Sequence, residues 1–129
     1  MKIGILIFAL IAITLHAGES AEQELERLQR ALKVAISQTD MNVASGELAK
    51  YWDQALQKEE KKILASCDAE TTKLFQKAQQ SWREFRKAEV AFQGDAVRGG
   101  SMQPLVCNST FAALTERRVR DLRLYSEPK

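Results

Sequence analysis

From Ser20 to Ser126 the apolar residues return every three or four positions, and no pattern of alternating residues competes with that rhythm. Such spacing belongs to amphipathic helices rather than strands. The clearest run is Phe75, Ala78, Trp82, Phe85, Ala88 and Phe92. Its aromatic members are expected to face a core. An earlier segment, "SAEQELERLQRALKVAIS", sets Leu25, Leu28, Leu32 and Ala35/Ile36 along one side, with Ser20 placed to cap its start. A second helix is predicted over about residues 41–65, burying Leu48, Trp52, Ala55/Leu56 and Ile63. Ser66 or Asp68 should cap a third helix that reaches about Val97. Gly99-Gly100 breaks the chain, and a fourth helix follows through Leu105, Phe111, Leu114, Leu122 and Tyr125. The expected fold is all-α: a small antiparallel bundle of three long helices plus an N-terminal helix.

Ahead of these helices, Lys2 precedes an apolar run from Ile3 to Ile13 and a small residue at Ala17. A basic start, a short apolar stretch and a small-residue boundary describe a secretory signal peptide. A membrane span needs roughly 18 apolar residues or more. The divisions expected are a signal peptide over 1–17, an N-terminal helix and linker over 18–39, and a helical domain over 40–129. Cleavage after Ala17 would leave 112 residues, enough for one core. The destination is periplasmic or secreted, with no stable membrane anchor afterwards, because no cysteine follows the apolar run to carry a lipid.

Cleavage would also remove His16, the only histidine. Without imidazole the chain loses the usual general base and the commonest metal ligand. Two cysteines cannot complete a four-cysteine zinc site. Paired carboxylates could still serve a hydrolase, but Glu59-Glu60, Glu84 and Glu89 read as solvated helix faces. The chain is therefore expected to be no enzyme and to carry no cofactor or metal. Charge excludes further classes. Without Lys2, 18 basic residues stand against 17 acidic ones. That balance gives no broad attraction to nucleic acid or anionic membrane, and the expected partner is a protein.

Some polar residues lie close to the apolar stripes. Arg86 borders the third helix's stripe, and Arg118 falls between Leu114 and Leu122. Buried charge is costly unless paired. At about 1.5 Å per residue in an up-down-up arrangement, Arg86 comes level with Asp53 and Arg118 with Trp82. Both are expected to tie helices together in register.

The same segments carry a family resemblance. "LFQKAQQSWREFRKAEVAF", "RGGSM", "PLVC" and "LTERRVRDL" resemble the LprI-type domain, the N-terminal domain of lysozyme-inhibitor LprI-like proteins. The matching positions are Ala78, Gln79, Trp82, Phe85, Arg86, Gly99, Gly100, Ser101, Cys107, Thr115, Arg118 and Leu122. The likeness covers about residues 38–126. It implies a small bacterial envelope protein, with some relatives associated with lysozyme inhibition. Relatives often carry cysteine where this chain has Val43 and Val90, and aspartate where it has Lys87.

An inhibitor must fill a saccharide cleft flanked by two carboxylates. The segment "AVRGGSMQ" is the candidate, with Arg98, Ser101 and Met102 as partner-binding residues. Arg98 could reach a carboxylate, Ser101 could donate a hydrogen bond, and the glycines permit close backbone approach. The plainer reading has Gly99-Gly100 ending one helix and Ser101 capping the next. An adaptor role, with a helix face binding a protein in the envelope, is the alternative function; self-association is left open. Cys67 and Cys107 fall at opposite ends of a simple bundle, far beyond the roughly 7 Å that a disulfide spans. Either the bundle is not simple, or the thiols are free or join two chains.

Overall fold

The computed structural model describes residues 20–126; the expected signal peptide lies outside them. Four helices follow one another: α1 (Ala21–Val34), α2 (Gln38–Ser66), α3 (Ala69–Asp95) and α4 (Gln103–Ser126). No strand occurs among the described residues. Side chains set three of the starts. Ser20 Oγ accepts from the Gln23 backbone N–H at 3.2 Å while the Gln23 side chain accepts from the Ser20 N–H at 2.9 Å, a reciprocal cap. Ser37 accepts from the Asp40 N–H at 3.0 Å, and Asp68 from the Thr71 N–H at 2.7 Å. That last bond, the chief cause, holds the Asp68 carboxyl below its ordinary value.

Successive helices run antiparallel, so α2 and α4 are parallel and form the centre. Their register is visible at both ends. Asn108 lies against Ser45 at 3.2 Å, and Arg123 against Glu59 at 3.2 Å. Ala49, Trp52, Leu56 and Ile63 of α2 meet Ala112, Val119 and Leu122 of α4 in the buried core. Helix α1 packs on α2 and α3 on α4. Leu28 of α1 is buried, and the Tyr51 hydroxyl donates to the Ala21 carbonyl at 2.9 Å. The core cluster and its packed neighbours span residues 25–122.

Helix α3 departs from expectation. Its inner face is Phe75, Gln79, Trp82, Arg86, Val90 and Gly94, of which Gln79, Arg86 and Gly94 are buried. The aromatic stripe is split between two faces. Phe75 and Trp82 pack against the core. Phe85 is 52% and Phe92 70% exposed, and Ala78 and Ala88 are exposed as well. The helix is turned by about one residue from the setting its apolar pattern suggests, because polar groups on α2 and α4 bind its polar stripe. Two smaller expectations also fail. Ile36 is exposed, and Ser101 is not the cap of α4, which starts two residues later and runs through Tyr125 to Ser126 as expected. Val90 is half-buried beside Cys107, whereas Val43 is exposed.

Candidate functional site

Between α2 and α3, long side chains reach across a groove floored by α4. Arg86 Nη1 donates to Asp53 Oδ1 at 3.0 Å and to Thr115 Oγ1 at 2.9 Å. Its guanidinium lies over two rings, 3.9 Å from the Phe111 centroid and 4.8 Å from that of Trp82. Thr115, fully buried, donates its own hydrogen bond to the Phe111 carbonyl at 2.7 Å. One turn below, Arg118 Nε donates to Gln79 Oε1 at 2.7 Å and Nη2 reaches the same oxygen. The Gln79 amide then donates to Glu60 at 2.5 Å, and Arg83 closes on Glu60 at 2.7 Å. Burial pulls the Arg118 guanidinium below its ordinary value, against the charges of Asp121 and Glu60.

A third tie is lower still. Glu59 is buried and takes hydrogen bonds from Lys62 at 3.1 Å and Arg123 at 3.2 Å. Burial pushes its carboxyl up; the bonds and charges of Lys62 and Arg123 outweigh that and leave it below the ordinary value. Glu59 and Glu60 are therefore inward ties, not the solvated pair expected from their charge pattern. Helical spacing held the clue for Glu60: Asp53, Leu56, Glu60 and Ile63 follow one face. Every described buried side-chain nitrogen or oxygen has a partner.

Two concavities flank these ties. The upper one, about 320 Å³, is lined by Lys50, Asp53, Val90, Cys107 and Phe111; the lower, about 290 Å³, by Glu60, Phe75, Gln79 and Arg83. Cys107 points its sulfur at the Val90 carbonyl, 3.9 Å away, and both Cys107 and Cys67 are free thiols. Among the described residues no group of three or more His, Cys, Asp or Glu side chains could hold a metal ion. Nor is any described helix long and apolar enough to cross a membrane.

The segment between α3 and α4 stands at one end of the bundle. Gly99 has φ +74°, a backbone setting that disfavours side chains. The Gly100 N–H bonds the Val97 carbonyl at 3.0 Å, and the Gly99 N–H bonds the Gln103 side chain at 3.0 Å. Asn42 of α2 donates to the Ser101 carbonyl at 3.0 Å, a clamp the sequence reading missed. The turn is thus fixed to two neighbouring elements. Arg98 Nε donates to Asp95 Oδ1 at 2.7 Å, and its side chain is 75% exposed. Arg98, Ser101 and Met102 are all exposed around a shallow concavity of about 480 Å³. The remaining residues singled out by sequence lie elsewhere: Trp82, Arg86, Thr115, Arg118 and Leu122 are inside the bundle, and Phe85 is on its outer surface.

Comparison with known proteins adds a lineage. The model of a family described as Lysozyme inhibitor LprI matches residues 30–122. An uncharacterized protein of Rhizobium meliloti (strain 1021) is 28% identical over 102 residues, covering 69% of this chain and 73% of its own length. No solved structure matches.

Proposed function

The chain belongs to the lysozyme inhibitor LprI family, and from that premise we propose that it is an exported envelope protein that inhibits lysozyme by seating its Arg98–Met102 turn in the saccharide cleft. Membership of an inhibitor family is compatible with a chain that has no catalytic role of its own. The observation that carries the reading is a fixed turn with an outward arginine. Three hydrogen bonds from Gly99, Gly100 and Asn42 order it before any partner arrives, which lowers the entropy cost of binding.

Arg98 now faces Asp95 across an exposed surface. Such pairs contribute little, so exchanging Asp95 for a catalytic carboxylate of the enzyme costs little too. A guanidinium forked onto a carboxylate is a strong, directional contact. Gly99 and Gly100 let the backbone approach the cleft wall without Cβ clashes. Occupying either carboxylate denies the glycosidic oxygen its acid or the sugar its nucleophile. The near-neutral charge supplies little long-range steering, so short-range fit has to provide the affinity.

The test is clearing of a bacterial cell-wall suspension by lysozyme, with the chain from Gly18 onward as additive. Half-inhibition is expected near about 10 μM, corresponding to roughly 7 kcal/mol of binding. Arg98→Ala should raise that concentration about tenfold while leaving helicity unchanged. Unaffected lysis at about 100 μM would remove inhibition. Inhibition intact in Arg98→Ala would remove the turn as its agent. A second reading, an adaptor module that works by protein association, is favoured by the outward apolar face of α3.

A further inference from the structure

Leu74, Ala78, Ser81, Phe85, Ala88 and Phe92 of α3 are all exposed, Leu74 by 62%. Their spacing alternates four and three, the seam pattern of paired helices. Exposed aromatics along such a seam are unusual on a monomer surface. Helix α3 is also an outer helix, packed on α4 on its inner side only.

We propose that this seam is a self-association surface, on which α3 pairs antiparallel with α3 of a second copy. Size favours it. In an antiparallel register centred beside Arg83, Phe85 meets Ser81 of the other copy, Ala78 meets Ala88, and Leu74 meets Phe92. Bulky groups are thereby set against small ones, apart from the Leu–Phe pair at each end.

Charge favours the same orientation. One edge of the seam carries Lys73 and Lys77 towards its start, Glu84 and Lys87 in its middle, and Asp95 at its end. Antiparallel pairing brings Lys73 towards Asp95 of the second copy at each end, while Glu84 lies near the two-fold centre with Lys87 of the second copy about one turn away. The helix dipoles also oppose one another in the antiparallel arrangement.

The strength can be bounded. A helix of 27 residues is about 40 Å long. Pairing over that length buries on the order of 1,000 Å², at the lower limit for a specific interface. Association in the micromolar range follows, with Arg98 itself outside the seam although its partner Asp95 lies at the seam's end.

Sedimentation equilibrium of the chain from Gly18 onward, with reductant present so that Cys67 and Cys107 cannot join chains, tests this. The core described above is assembled within residues 25–122, so that chain contains it. A mass rising from monomer to dimer across roughly 1–300 μM is expected, the range in which interfaces of this size dissociate. Phe85→Glu and Phe92→Glu should each hold the chain monomeric without loss of helicity, since both side chains are outside the core. Carbodiimide coupling in a mixture of isotopically light and heavy chains should join Lys73 of one copy to Asp95 of the other. A monomer at every concentration would overturn the proposal. So would larger assemblies, dimers that persist in both variants, or a dimer lacking those inter-chain links.

Discussion

Arg86→Ala should lower the unfolding free energy by about 3 kcal/mol and the Tm by on the order of 12 °C. Arg86 is 9% exposed, so its charge is withdrawn from water and satisfied by protein groups. Asp53 supplies the countercharge, Thr115 a neutral acceptor, and the faces of Phe111 and Trp82 supply π density. Truncation breaks these contacts together and leaves a void where three helices converge. Arg86→Lys should recover less than half of the loss, because an ammonium cannot lie flat on the Phe111 and Trp82 rings as the guanidinium does. Asp53→Asn should cost only about 1 kcal/mol, since that carboxylate is partly hydrated and an amide still accepts a hydrogen bond. Chemical denaturation of the three variants measures this ordering. A loss below about 1 kcal/mol for Arg86→Ala would place it among ordinary surface changes.

Gly94→Ala should cost about 2 kcal/mol, although alanine is the better helix former. A Cβ built at this position falls 2.5 Å from the Cys107 sulfur, closer than such atoms approach. The sulfur has little room to escape. It projects from a helix, where one of the three rotamers is closed by the preceding turn, and it already lies against the Val90 carbonyl. Either the sulfur leaves that position or the two helices part at the base of the Arg98 turn. The lysozyme inhibition proposed for the turn should weaken along with the stability, although Gly94 is itself buried and outside the turn. Removing the sulfur tests the cause. Gly94→Ala with Cys107→Ala should be more stable than the sum of the two single changes by at least about 1 kcal/mol, the coupling expected of residues in contact. Simple additivity would locate the damage elsewhere. Gly46→Ala is the control: its added Cβ would meet only the Asn108 amide, at an ordinary 3.5 Å.

The helices themselves were readable because caps and periodicity agree. Ser20 and Asp68 begin α1 and α3 as their residue types suggest, and the double glycine divides α3 from α4. Register was readable too: Arg86 does face Asp53, and Arg118 does lie 5.9 Å from the Trp82 ring, although its hydrogen bond to Gln79 was not foreseen. What could not be read from apolar spacing was the rotation of α3. Its Phe85–Phe92 side is more hydrophobic than the Gln79–Arg86 side that is buried. Hydrophobic patterning assumes that greasy faces turn inward. Here the partners decide otherwise, since Glu60, Asp53, Thr115 and Arg118 present polar groups that only Gln79, Arg83 and Arg86 can answer. A better guide lay in the family motif, whose Gln79, Trp82 and Arg86 share one helix face and whose Thr115, Arg118 and Leu122 share another. The turn was legible as a turn but not as a fixed one, because its anchor on Asn42 comes from 59 residues away.

The polar ties, the position of the turn and the free aromatic seam all follow from the way α3 is rotated on α4. Hydroxyl-radical footprinting at about 1 μM, dilute enough to keep an interface of this size dissociated, reads that rotation residue by residue. Phe85 and Phe92 should be oxidised at the rates of solvent-exposed rings, while Trp52 stays protected. Protection of Phe85 and Phe92 equal to that of Trp52 would mean that α3 turns its aromatic side inward, contrary to the arrangement described.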